Sequence, residues 1–192
     1  MTDGTDWHPR HRVNGIVACL GLLALIVFQG LASAEPKTPG GESSVQDADT
    51  PEGASARRID FTLPDLDGQP RQLSEWDGDL VLLNFWATWC PPCKKEMPMF
   101  QDRYERHADQ AFTIVAVAVD EVDEARAFVD EFGIGFPVLI GQDDAIAVGR
   151  QYGNRIGALP YTVIIDRDGF IREMHRGELT GAELDAWLQR YL

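Results

Sequence analysis

The sequence predicts an α/β domain in which helices cover both faces of a mixed sheet. Two apolar runs, Leu80–Trp86 and Phe112–Val119, have the composition of strands that are buried on both faces. Segments whose apolar residues recur with helical spacing alternate with these strands. Near the end of the chain, an Asp-Arg-Asp-Gly turn at residues 166–169 joins two short strands into a hairpin. Strand–helix alternation that ends in a hairpin is typical of a mixed sheet.

The other elements follow from apolar periodicity and from local signals. Cys93, Met97 and Phe100 lie on one stripe of a helix that follows the first buried strand. A capping box, Thr180-x-x-Glu183, opens the last helix. The remaining predictions are a strand at Ile59–Leu63, helices near Pro91–His107, Asp123–Phe132 and Ala145–Tyr152, and strands at Pro137–Ile140, Tyr161–Ile165 and Phe170–His175.

The N-terminal region has the pattern of an export signal. Arg10 and Arg12 precede an apolar run, Val13–Leu31, and Ala32-Ser33-Ala34 follows it. The pattern predicts a cleaved signal peptide at residues 1–34, or an uncleaved membrane anchor, because the run is just long enough to span a bilayer. Residues 35–57, rich in Pro, Gly, Ser, Ala and Asp, are expected to form a flexible linker. The folded domain is predicted at residues 58–192, in the periplasm or cell envelope.

Composition excludes several classes of protein. The chain has 192 residues, of which 44% are hydrophobic, so disorder throughout is excluded. A formal net charge of −14 argues against nucleic acid as a partner. Three cysteines are too few for a disulfide-stapled scaffold. We expect a soluble domain, with a monomer as the default because no dimerisation element is visible.

The candidate catalytic motif is Cys90-Pro91-Pro92-Cys93, which lies between a predicted buried strand and a predicted helix. At the helix N-terminus, free N–H groups and the helix dipole favour the thiolate of Cys90. Cys93 belongs to the buried stripe of that helix and is expected to be shielded. An exposed nucleophile with a resolving thiol one turn away is suited to thiol–disulfide exchange, with a Cys90–Cys93 disulfide as the oxidised state.

A metal site and an inert disulfide are the alternatives for this cysteine pair. Structural zinc needs four ligands, and only Cys90 and Cys93 remain once Cys19 leaves with the signal. His107 and His175, the histidines of the domain, lack ligand spacing. We therefore expect no metal and no cofactor. A binding module that holds copper or a partner through its reduced thiols, without turnover, stays open as a further alternative.

The active-site segment resembles a known family. Residues 83–98 (LNFWATWCPPCKKEMP), 61–68 (FTLPDLDG) and 157–166 (GALPYTVIID) are similar to segments of the TlpA/ResA/CcmG (DsbE) family of exported bacterial thiol–disulfide oxidoreductases. The resemblance covers about residues 58–192. It implies a thioredoxin fold with an inserted strand–helix unit, for which Asp120–Ile140 is the candidate segment.

The resemblance also implies roles for individual residues. Pro160 matches the family's cis proline opposite the cysteine pair, and the Leu159 backbone would then offer hydrogen bonds to a bound peptide. Trp86 and Trp89 are candidates for the apolar rim where a substrate docks, with core packing as the alternative, and Pro91 is expected at the same rim. Glu96 matches the family's active-site glutamate, one turn after Cys93, and partial burial should raise its pKa and suit it to proton transfer. Thioredoxin has a buried Asp at the position of Asn84, and Asn cannot take up a proton.

The family further implies a reductase that receives electrons from a membrane thiol transporter of the DsbD/CcdA kind. Its substrates would be cysteine-containing exported proteins, with apocytochrome c as the family's best-known example. A peroxiredoxin-like peroxidase is the alternative enzyme. Peroxiredoxins cradle peroxide in a Pro-x-x-x-Thr-x-x-Cys loop, and Leu83 occupies the place of that proline here.

Overall fold

The computed structural model describes residues 56–192. The predicted signal or anchor at residues 1–34 and nearly all of the predicted linker lie outside the described residues. Within residues 56–192, no helix has the length and apolarity needed to cross a membrane.

Seven strands and four α-helices make up the described part of the chain. In chain order they are β1 (Thr62–Pro64), β2 (Pro70–Gln72), a 3-10 turn (Leu73–Trp76), β3 (Leu80–Trp86), α1 (Pro91–Arg106), β4 (Phe112–Val119), α2 (Val122–Phe132), β5 (Val138–Gly141), α3 (Asp143–Gln151), β6 (Tyr161–Ile165), β7 (Ile171–Arg176) and α4 (Gly181–Tyr191).

Five strands form one mixed sheet in the order β5-β4-β3-β6-β7. The apolar runs β3 and β4 pair in parallel at the centre, and β5 extends the parallel part. Strand β6 pairs antiparallel with β3 and with β7, so the predicted C-terminal hairpin is confirmed. The Asp166 carboxylate accepts the N–H groups of Asp168 and Phe170 and so holds the hairpin turn.

The N-terminal strand is shorter than the predicted strand at Ile59–Leu63 and begins further along the chain. Strand β1 begins at Thr62 and pairs with β2, which the sequence analysis missed because Pro70–Gln72 has no apolar alternation. The two strands form a separate small sheet. The carboxylate of Asp65 accepts the N–H groups of Asp67 and Gln69 and shapes the turn between them.

The predicted insertion, Asp120–Ile140, contains α2 and most of β5, so its helix precedes its strand. Gly133, at a φ of 61°, ends α2 in the left-handed conformation that glycine adopts without strain. Strand β5 then lies beside β4 at the edge of the sheet.

Alternation along β3 divides the interior into two apolar layers. Leu80, Leu82 and Trp86 pack with α1, α2 and α4 on one face of the sheet. Val81, Leu83 and Phe85 pack with α3 and the small N-terminal sheet on the other face. Asn84 has the same parity as Leu82 and Trp86, so its amide is directed toward α1, which begins at the candidate active site.

Candidate active site

Cys90 and Cys93 form a disulfide at the junction between β3 and α1. Cys90 is the N-cap residue of α1, with extended backbone angles of −100° and 104°. Its Sγ accepts the N–H of Cys93 at 3.4 Å. The sulfur of Cys90 is therefore the atom that caps the helix. At this position the helix N-terminus would stabilise a negatively charged sulfur.

The two prolines limit how many donors reach this sulfur. Pro91 and Pro92 occupy the first two positions of α1 and have no backbone N–H. The N–H of Cys93 is consequently the first donor of the helix, and the next one, from Lys94, bonds to the Cys90 carbonyl at 3.2 Å. The sequence predicts free N–H groups around Cys90. In the structure, one of them, from Cys93, bonds to the sulfur.

Both cysteines are buried in the disulfide form. Cys90 is 4% exposed and Cys93 is fully buried among the residues that cover the α1 face of the sheet. The expectation that Cys90 is openly exposed was wrong for this state, because its side chain packs into the apolar layer beneath α1. Of the two cysteines, Cys90 is the slightly more exposed residue.

The two tryptophans near the motif have different environments. Trp89, directly before Cys90, is 65% exposed. Trp86 is fully buried, and its ring centroid lies 5.1 Å from that of Phe128. Asp120 accepts the N–H of Thr88 at 2.6 Å and so fixes the segment that carries Trp89. Trp89 therefore belongs to the accessible rim, together with the exposed Pro91, and Trp86 belongs to the core.

The peptide bond between Leu159 and Pro160 is cis, as the resemblance implies. Pro160 is buried, and its carbonyl accepts the N–H of Gly177 at 2.9 Å. Leu159 is half-buried and packs against both apolar layers. Within residues 56–192, neither the N–H nor the C=O of Leu159 has a hydrogen-bond partner, so both stay available for a bound chain.

A small apolar cavity joins the two segments that carry Trp89 and Leu159. Its volume is about 80 Å³, and its wall includes Phe85, Val119 and Ile146. The cavity therefore adjoins Trp89, the residue directly before Cys90.

Glu96 lies one turn after Cys93 on the buried side of α1 and is 1% exposed, more buried than the sequence suggested. Its Oε1 accepts from Asn84 Nδ2 at 2.9 Å, and its Oε2 accepts from Leu179 N at 3.1 Å. Burial raises the pKa of Glu96 to about 7, although both hydrogen bonds oppose the rise. A carboxyl group with such a pKa can both hold and release a proton near neutral pH.

Thr162 is a polar residue of the site that the sequence analysis missed, and its partner Asn84 was considered there only as a residue that cannot take up a proton. Both are fully buried, and Asn84 Nδ2 donates to Thr162 Oγ1 at 3.0 Å. The available signal was a lone polar residue inside each of two strands that are otherwise apolar, β3 and β6. A polar side chain at such a position needs a buried partner.

Among residues 56–192, no group of three or more His, Cys, Asp or Glu side chains is arranged to hold a metal ion. The fold and the site together define a class, the thioredoxin-fold proteins with a redox-active cysteine pair. Comparison with known proteins defines the family.

Residues 55–174 match the AhpC/TSA family. The chain is 39% identical over 131 residues to the thiol–disulfide oxidoreductase ResA of Bacillus anthracis, which covers 68% of this chain and 73% of that protein. The ResA of Bacillus cereus strain ATCC 10987 is 31% identical over 180 residues, covering 93% and 94% of the two chains. The chain therefore belongs to the AhpC/TSA family, among its ResA-type members.

Solved structures agree with this assignment. A thiol:disulfide interchange protein of Chlorobium tepidum TLS superposes with a TM-score of 0.66 at 25% identity, covering 72% of this chain and 97% of that one. A structure described as a putative DsbE from Chlorobium tepidum gives 0.63 at 28% identity, with coverages of 71% and 94%. The protein is a thiol–disulfide oxidoreductase with a thioredoxin fold.

Proposed function

We propose that this protein reduces disulfide bonds of exported proteins through Cys90 and Cys93. The thiolate of Cys90 attacks one sulfur of the substrate disulfide, forms a mixed disulfide and releases the other substrate sulfur as a thiolate. The thiolate of Cys93 then attacks Cys90 Sγ and releases the second substrate thiolate. The substrate gains two electrons, and the enzyme is left with the Cys90–Cys93 disulfide. The observation that carries this proposal is that disulfide at the start of α1.

Glu96 is proposed as the proton donor and acceptor for Cys93. Resolution of the mixed disulfide requires that Cys93 lose its proton in a setting with almost no water. Glu96 lies one helical turn away on the same face of α1, and its pKa of about 7 allows it to accept that proton near neutral pH.

The substrate is proposed to bind in extended form across Trp89, Pro91 and Leu159. The unpaired N–H and C=O of Leu159 would form strand-like hydrogen bonds with the substrate backbone, beside the buried Pro160. An aliphatic side chain next to the substrate cysteine would enter the cavity of about 80 Å³ between Trp89 and Ile146. This arrangement would bring the substrate disulfide to Cys90, the slightly more exposed of the two cysteines.

Export and electron supply complete the proposal. Residues 1–34 would direct export or anchor the chain, residues 35–57 would tether the domain at residues 58–192, and a membrane thiol transporter of the DsbD/CcdA kind would return electrons to Cys90–Cys93. Cysteine-containing exported proteins, with apocytochrome c as one candidate, are the proposed substrates. The basic residues before Val13–Leu31 and the similarity to ResA and DsbE proteins support this assignment.

The reduction potential tests the direction of transfer. The protein is equilibrated with glutathione or dithiothreitol buffers, and the free thiols are trapped and counted. A potential of about −200 mV or lower supports a reductase that is supplied with electrons. A potential near about −120 mV, as in strong oxidants, would overturn the reductive assignment.

Trapping of the mixed disulfide tests whether Cys90 is the nucleophile and Cys93 the resolving thiol. Cys93→Ser should accumulate a mixed disulfide with a peptide disulfide, because no resolving thiol remains. Cys90→Ser should accumulate none, since Cys93 is fully buried. Equal trapping by the two variants, measured by mass spectrometry, would contradict the assigned roles.

A further inference from the structure

In the buried side-chain amide of Asn84, the nitrogen has hydrogen-bond partners and the oxygen has none among the described residues. Its Nδ2 donates to Glu96 Oε1 at 2.9 Å and to Thr162 Oγ1 at 3.0 Å. Its Oδ1 is buried and has no hydrogen-bond partner among the described residues. An unpaired carbonyl oxygen in the interior is costly, so its presence calls for a physical reason.

The two hydrogen bonds to Glu96 suit its ionised form best. Both carboxylate oxygens accept hydrogen bonds, one from Asn84 and one from the backbone N–H of Leu179. Neither of these donors can accept a proton in return. The two groups that hydrogen-bond Glu96 therefore act as donors and do not accept its proton, although Glu96 needs a protonated state for the role proposed above.

Reversal of the Asn84 amide supplies the missing acceptor. Rotation of the terminal torsion by a half-turn exchanges Oδ1 with Nδ2 at nearly the same positions. Oδ1 would then accept from the protonated Glu96 carboxyl. The Thr162 hydroxyl, which can act as donor or acceptor, would donate to the same oxygen. In the present orientation Oδ1 is the end without a partner among the described residues, and reversal would put Nδ2 in its place. The protonation state of Glu96 would then favour one orientation or the other.

We propose that Asn84 is a positioning residue whose side-chain amide reverses when Glu96 gains or loses a proton, so that this carboxyl group is hydrogen-bonded in both states. The proposal rests on the proton-transfer role proposed for Glu96. It assigns Asn84 a function that does not require a proton of its own, unlike an Asp at this position.

Other charged groups around Glu96 act on its charge without accepting its proton. Glu178 raises the pKa of Glu96 by like-charge repulsion. Lys95 partly offsets Glu178, with its Nζ 3.4 Å from Glu178 Oε2. The ring Nε2 of His175 lies 3.1 Å from the Glu178 carbonyl oxygen. Asn84 and Leu179 remain the groups that hydrogen-bond the carboxylate itself.

Nuclear magnetic resonance of the oxidised full-length protein tests the reversal directly. The Asn84 Nδ2 protons should show Overhauser contacts to the Thr162 methyl group above the Glu96 titration midpoint and lose them below it. Glu96→Gln, whose amide can donate to Asn84 Oδ1, should show the low-pH pattern at every pH. Contacts that persist through the midpoint, or a Glu96→Gln variant with the high-pH pattern, would overturn the proposal.

A double-variant cycle tests the consequence for chemistry. Asn84→Leu removes a hydrogen bond from both protonation states of Glu96, so the pH midpoint of disulfide exchange should move by less than about one unit, the rise expected if the amide bonded the carboxylate alone. The same substitution in a Glu96→Gln background should leave the profile unchanged. An equal shift in both backgrounds would mean that Asn84 acts on something other than Glu96.

Controls separate this proposal from folding and from the role of Glu96. Thr113→Val removes another buried hydroxyl, on β4, and should not move the midpoint. Asn84→Ala serves if the leucine variant does not fold. If exchange by the unmodified protein shows no Glu96-dependent midpoint, the proton-transfer role fails, and the resonance experiment still tests the reversal independently.

Discussion

Glu96 is the residue whose chemistry depends most on its surroundings, since it is 1% exposed and hydrogen-bonded on both oxygens. Its pKa is about 7 in the folded protein, and that of an unfolded chain is near 4.5. The folded state therefore binds this proton more tightly than the unfolded state. The contribution of this proton to the free energy of unfolding is fully present below about pH 4.5 and is lost as the pH rises through about 7.

The expected loss from this carboxyl is roughly 3 kcal/mol in the oxidised protein, because each pKa unit corresponds to about 1.4 kcal/mol. Glu96→Gln should abolish this part of the pH dependence of the free energy of unfolding, measured by urea denaturation. Glu131→Gln, at an exposed position of α2, is the matched control and should keep it. A Glu96→Gln protein with the original pH dependence would show that another group is responsible.

Trp89 is the exposed residue for which the proposed substrate site makes the clearest prediction. Trp89→Ala removes one wall of the small cavity and a large apolar contact surface. We expect kcat/KM for a protein disulfide to fall roughly tenfold, as for a central interface residue. Reduction of the enzyme by dithiothreitol, which is too small to span the site, should change little.

The control for Trp89 is Ile59→Ala, an exposed apolar residue that does not line the cavity. It should leave both rates unchanged. If Trp89→Ala slowed the reaction with dithiothreitol as much as that with the protein substrate, Trp89 would act on the cysteines and not on substrate binding.

At the scale of elements, the start of α1 determines how strongly the thiolate of Cys90 is stabilised. Pro91 and Pro92 remove two backbone donors, and the N–H of Cys93 is the one that reaches Cys90 Sγ. Pro92→Ala restores a donor near the cap and should stabilise the reduced, thiolate form. The reduction potential should become less negative by roughly 5–20 mV, from a helix-terminus interaction of about 0.3–1 kcal/mol.

Equilibration of the Pro92→Ala variant with glutathione measures this change. Pro98→Ala, at an exposed position further along the same helix, is the control and should not alter the potential. A more negative potential for Pro92→Ala would contradict the argument, because an added donor can only favour the anion.

At the scale of the whole molecule, the bounds of the folded domain can be tested. Both apolar layers, the five-stranded sheet and the cysteine pair lie within residues 56–192. Backbone pairing extends to Ala56, whose carbonyl accepts the N–H of Ile171 at 2.8 Å.

A fragment of residues 56–192 should therefore match the longer chain at residues 35–192 in thermal unfolding midpoint and in the rate of peptide disulfide reduction. Differential scanning calorimetry and a thiol-release assay give the two comparisons. A fragment that starts at residue 62 should be less stable, because it lacks Phe61, which packs in the α3 layer, and the Ile59 carbonyl that accepts from Tyr152. A lower midpoint for the 56–192 fragment would place part of the domain further upstream.

Several elements could be predicted because local patterns in the chain specify them. Strands β3, β4 and β6 have the predicted bounds, because continuous burial leaves an unbroken apolar run. The capping box of α4 and the hairpin turn are local hydrogen-bond signals, and both are present. The cysteine pair was equally visible, since its chemistry depends on two residues and the helix that begins between them.

The contacts between distant side chains, in contrast, depend on how the elements pack. Asn84 on β3, Glu96 on α1 and Thr162 on β6 are brought together by strand register and by the packing of α1 on the sheet. No spacing within one element encodes such a contact, and the pKa of Glu96 depends on it. The depth of Cys90 likewise follows from packing in the apolar layer beneath α1, which a local pattern cannot specify because the residues that cover it come from several elements.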